Sequence, residues 1–338
     1  MVGHFLQVQD FNKSELLDII ELARLLKHAD KLGACPKLLD GASLGMIFEK
    51  PSTRTRVSFE VAMTKLGGDA LHLKPDDISL GEGETIADTS RVLSRMVDVI
   101  EACTLEYKTL KELADYASVP VINGLTDYNH PTQAMCDVMT MIEHARGGKP
   151  LDELKLIFIG DATIVCSSLL LLCTRLGMQF THVAPKRYQV CDALRSIASA
   201  NCQKSGGSLT ISDDPFSSVK DADFIYTDLW WQIGEEEEAP ERRAAFMPHY
   251  QVNDTLLATA PPHARIMHCL PVSRGVEATD AVLDGAQSII FDQAENRLHM
   301  EKGLLAWFVY PRLPRPSSEI CAQEAATISQ FIMAQAFA

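Results

Sequence analysis

The stretch Ser43-Leu44-Gly45-Met46-Ile47-Phe48-Glu49-Lys50-Pro51-Ser52-Thr53-Arg54-Thr55-Arg56-Val57-Ser58-Phe59 decides the architecture. Residues 43–48 are a short apolar run, as expected of a strand buried on both faces. Residues 57–66 then place Phe59, Ala62, Met63 and Leu66 on one helical face. A buried strand, a polar turn and an amphipathic helix form the repeating unit of a parallel sheet covered by helices.

The same alternation runs outward in both directions. Upstream, 12–29 reads as a helix with Leu16, Ile19, Ile20, Ala23 and Leu26 on one side. Downstream, helices are expected over 85–97, 111–117 and 131–145, with strands near Val99 and over 119–123. Gly147, Gly148 and Pro150 punctuate the chain, and a second alternation opens with a strand over 154–160. It continues through helices over 166–176 and 193–204 and strands over 179–184, 208–211, 224–226 and 266–268. After Pro311, Pro314 and Pro316, residues 317–336 read as a terminal helix. The expected fold is α/β: two doubly wound parallel-sheet domains, 1–147 and 148–316, joined by the helix at 131–145. The C-terminal helix, 317–338, is expected to return to the first domain.

Composition narrows the function. With 338 residues, 46% of them apolar and 22% charged, the chain can bury a core in each of two domains. Thirty-one Lys and Arg against 45 Asp and Glu give a formal charge of -14, which repels polyphosphate chains and argues against a nucleic-acid partner. The nine cysteines are odd in number and form no Cys-x-x-Cys pair, a pattern of the reduced cytoplasm. The N-terminus lacks a basic cluster followed by an apolar run, and the richest apolar stretch, 164–173, falls short of the ~20 residues that cross a bilayer. No membrane insertion is expected.

Four motifs could carry chemistry. Ser52-Thr53-Arg54-Thr55-Arg56 lies where a helix begins, so hydroxyls, a guanidinium fork and free backbone amides could hold a phosphate. The plainer reading is a capped helix with solvated arginines. His130-Pro131-Thr132-Gln133 opens the connecting helix and could donate to a carbonyl oxygen, or simply cap and pack. His268-Cys269-Leu270-Pro271 follows a strand and puts a thiol at a sheet's carboxyl edge, where ligands of open sheets gather; a buried, inert Cys is the alternative. Asp228 ends a strand before Trp230 and Trp231, where an Asp could equally cap a turn.

In this order the four motifs resemble the aspartate and ornithine carbamoyltransferase family across nearly the whole chain. The resemblance rests on Phe48-Glu49-Lys50-Pro51-Ser52-Thr53-Arg54-Thr55-Arg56, Asp127-Tyr128-Asn129-His130-Pro131-Thr132-Gln133, His268-Cys269-Leu270-Pro271 and Ala294-Glu295-Asn296-Arg297. Cys269 favours the ornithine branch. Within it the segments Ser43–Phe48, Thr89-Ser90-Arg91-Val92-Leu93-Ser94-Arg95, Gly160-Asp161-Ala162-Thr163 and Tyr226-Thr227-Asp228-Leu229-Trp230 are similar to the members that act on putrescine.

The resemblance implies that residues 1–147 bind carbamoyl phosphate and 148–316 bind the acceptor amine. Carbamoyl phosphate would lie against Ser52, Thr53, Arg54, Thr55, His130, Gln133, Cys269, Leu270 and Arg297, and the acceptor against Thr163, Asp228, Trp230 and Gln232. Arg54, His130, Asp228 and Cys269 would be the catalytic residues. No cofactor and no metal are implied. The partners would be the two small substrates and two further copies of the chain, in a cytoplasmic trimer whose sites borrow the loop Asp76 to Glu84 from a neighbour.

Departures from the family pattern bear on the substrates. Ornithine enzymes place Asn-Asn after the Gly-Asp turn and Ser-Met-Gly after the Asp-x-x-x element; Thr163-Ile164 and Gln232-Ile233-Gly234 stand here. An Ile cannot donate to a carboxylate, so an acceptor lacking an α-carboxylate fits better. Cys103 replaces an Arg that contacts carbamoyl phosphate, and Ser79 replaces a Gln sent from the neighbouring subunit. The expected activity is carbamoyl transfer to a diamine such as putrescine. The alternatives are an ornithine enzyme with a divergent pocket, or a catalytically silent paralogue that binds ligand without turnover.

Overall fold

The strand-turn-helix unit at residue 43 forms as its sequence requires. In the computed structural model, which describes residues 3–74, 78, 83–231 and 236–336, β1 (Ser43–Phe48) is enclosed and pairs in parallel on both edges. It lies between β2 (Asp69–Leu73) and β3 (Val99–Cys103), and β4 (Val121–Leu125) completes a four-stranded parallel sheet in the order β2-β1-β3-β4. Five parallel strands make the second sheet in the order β7-β6-β5-β8-β9: β5 (Lys155–Ile159), β6 (Gln179–Val183), β7 (Ser208–Ser212), β8 (Phe224–Thr227) and β9 (Arg265–Met267). Two parallel-sheet α/β domains are thus present, as the alternation predicts.

Helices in chain order are α1 (Lys13–Lys31), α2 (Thr53–Lys65), α3 (Ile86–Leu93), α4 (Tyr107–Tyr116), α5 (Pro131–His144), α6 (Ile164–Leu176) and α7 (Asp192–Ser205). The one-turn α8 (Pro215–Ser218), α10 (Asp254–Leu257) and α11 (Asp280–Leu283) flank α9 (Ala239–Phe246), and α12 (Ile290–Val309) and α13 (Ser318–Ala336) end the chain. Local chemistry sets the boundaries. Asn12 caps α1 in a reciprocal pair: its side chain accepts from Glu15 N at 3.0 Å, and the Glu15 carboxylate accepts from Asn12 N at 2.8 Å. Gly177 (φ 95°) and Gly206 (φ 83°) end α6 and α7 in the left-handed conformation.

α12 returns to the first domain, packing on α1, α2 and α5, where Leu304, Leu305, Phe308 and Val309 fill the core those helices share. α13 is exposed at every residue from 318 to 330.

The contact between α12 and α1 is close enough to exclude a methyl group. A Cβ added at Gly303 would meet Ala23 Cβ at 2.8 Å and Ala23 Cα at 3.0 Å, so a neighbouring backbone would have to move. Ala would gain about 1 kcal/mol of helix propensity over Gly. Overpacking at about 1–3 kcal/mol outweighs it. Gly303→Ala is expected to lower the urea midpoint with the unfolding slope unchanged, and a raised midpoint would contradict this packing.

Candidate active site

The two sheets present their carboxyl ends to one cleft of about 680 Å³. Its floor on the first-domain side is the turn from β1 to α2. Ser52 occupies the N-cap position with extended φ and ψ (-140°, 96°) but makes no side-chain capping bond, so the first amides of α2 have no capping acceptor. A helix start left in this way carries positive potential and free N–H donors. Arg54 has no hydrogen-bonded or ion-paired partner among the described residues, whereas Arg56 pairs with Glu60 at 3.5 Å. Burial, with the Arg297 charge nearby, holds the Arg54 guanidinium below its ordinary value. A half-buried, unpaired guanidinium beside a bare helix start is a site for an anion.

Arg297 of α12 stands behind this floor and is nearly fully buried. Its Nη1 donates to Gln133 Oε1 at 2.7 Å, and its Nη2 donates to Thr55 Oγ1 at 3.1 Å and to Glu301 Oε1 at 2.8 Å. Burial pushes the Glu301 carboxyl up to about 7 against the pull of Arg297. His130 precedes α5, its backbone N–H donating to Ser168 Oγ at 2.8 Å and its Nδ1 lying 3.3 Å from the Thr132 hydroxyl. Burial, reinforced by Arg297 and Arg54, drives its basicity well below the usual imidazole value, so the ring is neutral.

The opposite wall belongs to the second domain. Thr163 caps α6, accepting from Cys166 N at 3.2 Å while donating to Asp228 Oδ2 at 2.8 Å. Asp228 also accepts from the Cys269 thiol at 3.2 Å and from Leu229 N at 2.8 Å. Burial and the Asp228 charge push the Cys269 thiol well up, so it is protonated and a poor nucleophile. Leu270 adopts φ 60°, a conformation costing ~1–3 kcal/mol for a residue with a side chain. Its N–H donates to His268 Nδ1 at 2.8 Å, which fixes the turn that carries Cys269.

Ser52, Thr53, Arg54, Thr55, His130, Gln133, Thr163, Asp228, Cys269, Leu270 and Arg297 all line this one cleft, drawn from remote parts of the chain. Trp230 does not. It is buried in the second-domain core, stacked on Phe246 with ring centroids 5.1 Å apart, because a large apolar ring gains more there than at a wet cleft. Gln232 and Ser79 lie outside the described residues, as does the loop at 76–84 apart from 78, 83 and 84. Sequence reasoning missed Lys50, Leu125 and Asp127 as wall residues. Lys50 adjoins the phosphate-type motif, and that adjacency was the available signal.

Cys103 lies on the cleft wall beside Thr104, and burial raises its thiol far above the ordinary range, so it adds no charge there. Asp228, His268 and Cys269 bring a carboxylate oxygen, an imidazole nitrogen and a sulfur within 4.8 Å of one another. The donor set does not fit a resident cation: His268 Nδ1 accepts from Leu270, its Nε2 faces Glu277 at 3.3 Å, and the sulfur is protonated.

An anion cradle and a neutral imidazole on one lobe, facing a carboxylate and thiol on the other, define a transferase that brings two small substrates together. Comparison with known proteins gives the family. The profile of the carbamoyl-P binding domain of aspartate/ornithine carbamoyltransferases matches residues 3–143, and that of their Asp/Orn binding domain matches residues 152–308. The chain is 50% identical over 327 residues to a putrescine carbamoyltransferase of Mycoplasma capricolum, covering 94% of this chain and 89% of that protein. It is 48% identical over 299 residues to an ornithine carbamoyltransferase of Pyrococcus abyssi, covering 88% and 93%. The solved ornithine carbamoyltransferase of Pyrococcus furiosus superposes with a TM-score of 0.87 at 46% identity, covering 93% of this chain and 99% of that one. The chain belongs to the aspartate/ornithine carbamoyltransferase family and is a carbamoyltransferase.

Proposed function

We propose that the chain moves the carbamoyl group of carbamoyl phosphate to one amine of a small diamine of the putrescine type and releases phosphate. The observation that carries the acceptor class is the wall at the start of α6. The Thr163 hydroxyl is engaged with Asp228 and Cys166, and Ile164 and Val165 follow it into the cleft. The side chains of that wall offer a carboxylate no free donor, and each charge-assisted hydrogen bond forgone costs about 1.5–3 kcal/mol. The 50% identity to the Mycoplasma capricolum putrescine enzyme supports the same reading.

Residues 1–147 hold the donor and 148–316 the acceptor in this reading. The free amides of α2, with Ser52, Thr53, Arg54 and Thr55, grip the phosphate, while Arg297 fixes Thr55 and Gln133 from behind. The neutral His130 ring, its Nδ1 3.3 Å from the Thr132 hydroxyl, donates from Nε2 to the carbamoyl oxygen in the tautomer whose Nδ1 accepts from Thr132. Asp228 and Cys269 orient the attacking amine. Charge grows on the carbonyl oxygen and then on the departing phosphate, where preorganised donors act most strongly, and no covalent enzyme intermediate is required.

An ornithine acceptor is the second reading, favoured by the 48% identity to the Pyrococcus abyssi enzyme. Purified protein given carbamoyl phosphate with putrescine or ornithine at equal concentration separates the two. Putrescine is expected to be preferred in kcat/KM by about 100-fold or more, the scale set by an unpaired buried charge, with phosphate and ureido product formed in equal amounts. Preference for ornithine would overturn the diamine assignment.

The assembly is proposed to be a trimer in the cytoplasm. Supporting it, Val57 of α2 and Leu71 of β2, both large apolar side chains, are each 52% exposed on the first domain. All nine cysteines are free, and no helix among the described residues is long and apolar enough to cross a membrane.

A further inference from the structure

One buried carboxylate ties the two walls of the cleft together. Asp137 of α5 is fully enclosed. Its Oδ1 accepts from Gln133 Nε2 and from Gln293 Nε2, both at 2.7 Å, and its Oδ2 accepts from the Tyr226 hydroxyl at 3.0 Å. Each donor leads to a different part of the site. Gln133 accepts from Arg297, which holds Thr55 at the start of α2. Gln293 Oε1 accepts from the backbone N–H of His268 at 2.9 Å, one residue before Cys269. Tyr226, on β8, lies two residues before Asp228, and its hydroxyl bears on the Cys269 thiol. Hydrogen bonds therefore run from the anion cradle to the acceptor wall, and Asp137 is the junction. Only a carboxylate accepts from all three donors at once, since an amide presents a donor to one of them.

We propose that Asp137 is a positioning residue: its ionised carboxylate keeps Gln133 and Arg297 on the donor side in register with Tyr226 and Cys269 on the acceptor side, and transfer is fast only while it is ionised. The inference rests on the carbamoyl-transfer reading above. Burial pushes the Asp137 carboxyl up to about 7, against the pull of its three hydrogen bonds and of Arg297. The groups facing it are Arg297 and Gln293 from α12, Tyr226 from β8, Cys173 from α6, Cys269 after β9, and Gln133 and Cys136 of its own helix. Arg297 is the charged one among them. Protonation at Oδ2 would turn an acceptor into a donor facing the Tyr226 hydroxyl, which must then point its own proton elsewhere. A shift of about 1 Å at such a junction suffices for a hundredfold loss of rate.

The test compares the wild type with Asp137→Asn and Tyr226→Phe, using carbamoyl phosphate and putrescine from pH 5.5 to 9 and circular dichroism to confirm folding. Wild-type kcat should fall about tenfold per pH unit below a break near 7. Asp137→Asn should lower kcat at pH 8 by about 10- to 100-fold with the KM for carbamoyl phosphate within threefold, and should remove the break. Tyr226→Phe takes one donor from the carboxylate and should move the break to higher pH. An unchanged break in either variant, or a KM effect without a kcat effect, overturns the proposal; if Asp137→Asn does not fold, the Tyr226→Phe shift decides. Should the wild type turn over no amine, the transfer reading fails separately. Amide hydrogen exchange at the His268 N–H, which Gln293 holds, then reads the junction, because the wild-type to Asp137→Asn ratio of protection must fall below pH 7, and a constant ratio overturns it.

Discussion

Arg54→Gln is expected to lower kcat/KM for carbamoyl phosphate by about 10²- to 10³-fold, equivalent to about 2.7–4 kcal/mol of transition-state stabilisation. Among the described residues Arg54 has no hydrogen-bonded or ion-paired anion to release, so its removal breaks no ion pair there. What it removes is the charge aimed at the phosphate. Because that charge acts most strongly when the phosphate departs, kcat should fall as well as affinity. Arg54→Lys restores charge but not the planar fork, so it should remain about tenfold or more below the wild type. Steady-state phosphate release measures both variants, and a loss under about fivefold for Arg54→Gln would remove Arg54 from the reacting centre.

Arg297→Met is expected to act chiefly on stability. It strips a fully buried carboxyl of its cation and leaves Thr55 and Gln133 each short of a donor. Breaking one side of a buried pair costs about 3–5 kcal/mol. The pH dependence has a definite sign. The Glu301 carboxyl already sits near 7 in the folded chain, above its ordinary 4.5, so the stability tied to it is present at low pH and lost as pH rises through that value. Without Arg297 the folded-state value climbs further, and the loss continues to higher pH. The gap between variant and wild-type urea midpoints should therefore be wider at pH 8 than at pH 6. Adding Glu301→Gln should return a large part of it, and a gap independent of pH would contradict the burial of this pair.

Local signals carried most of the fold. The strand at 43–48 forms with those bounds, and the helix expected over 131–145 is α5 to within a residue. The helix expected from residue 57 begins at Thr53, since its polar first turn faces the cleft and hides its amphipathicity. The half-exposed edge strand β2 and all of α12 left no periodic signal. In α12 the cause is clear: Gln293, Asn296, Arg297, His299, Glu301 and Lys302 are all buried, so polar residues occupy positions that an apolar stripe would need. Their partners, among them Asp30, Thr55, Gln133 and Asp137, are remote in the chain. The cleft was legible where its motifs are contiguous, at 52–55, 130–133 and 268–271. The difference between unpaired Arg54 and paired Arg56 depends on side-chain direction, and the junction at Asp137 on three elements meeting, so neither could be read from spacing.

The chain crosses between its lobes twice, outward along α5 and back along α12, and these two helices pack on each other. Such a double tether makes the halves poor modules. A fragment ending at residue 147 would lack the rod that shields α1, α2 and α5, and would present its apolar flank to solvent, with Asp30 keeping Lys65 but losing Lys302. Splitting the chain at this boundary is therefore expected to destabilise both halves.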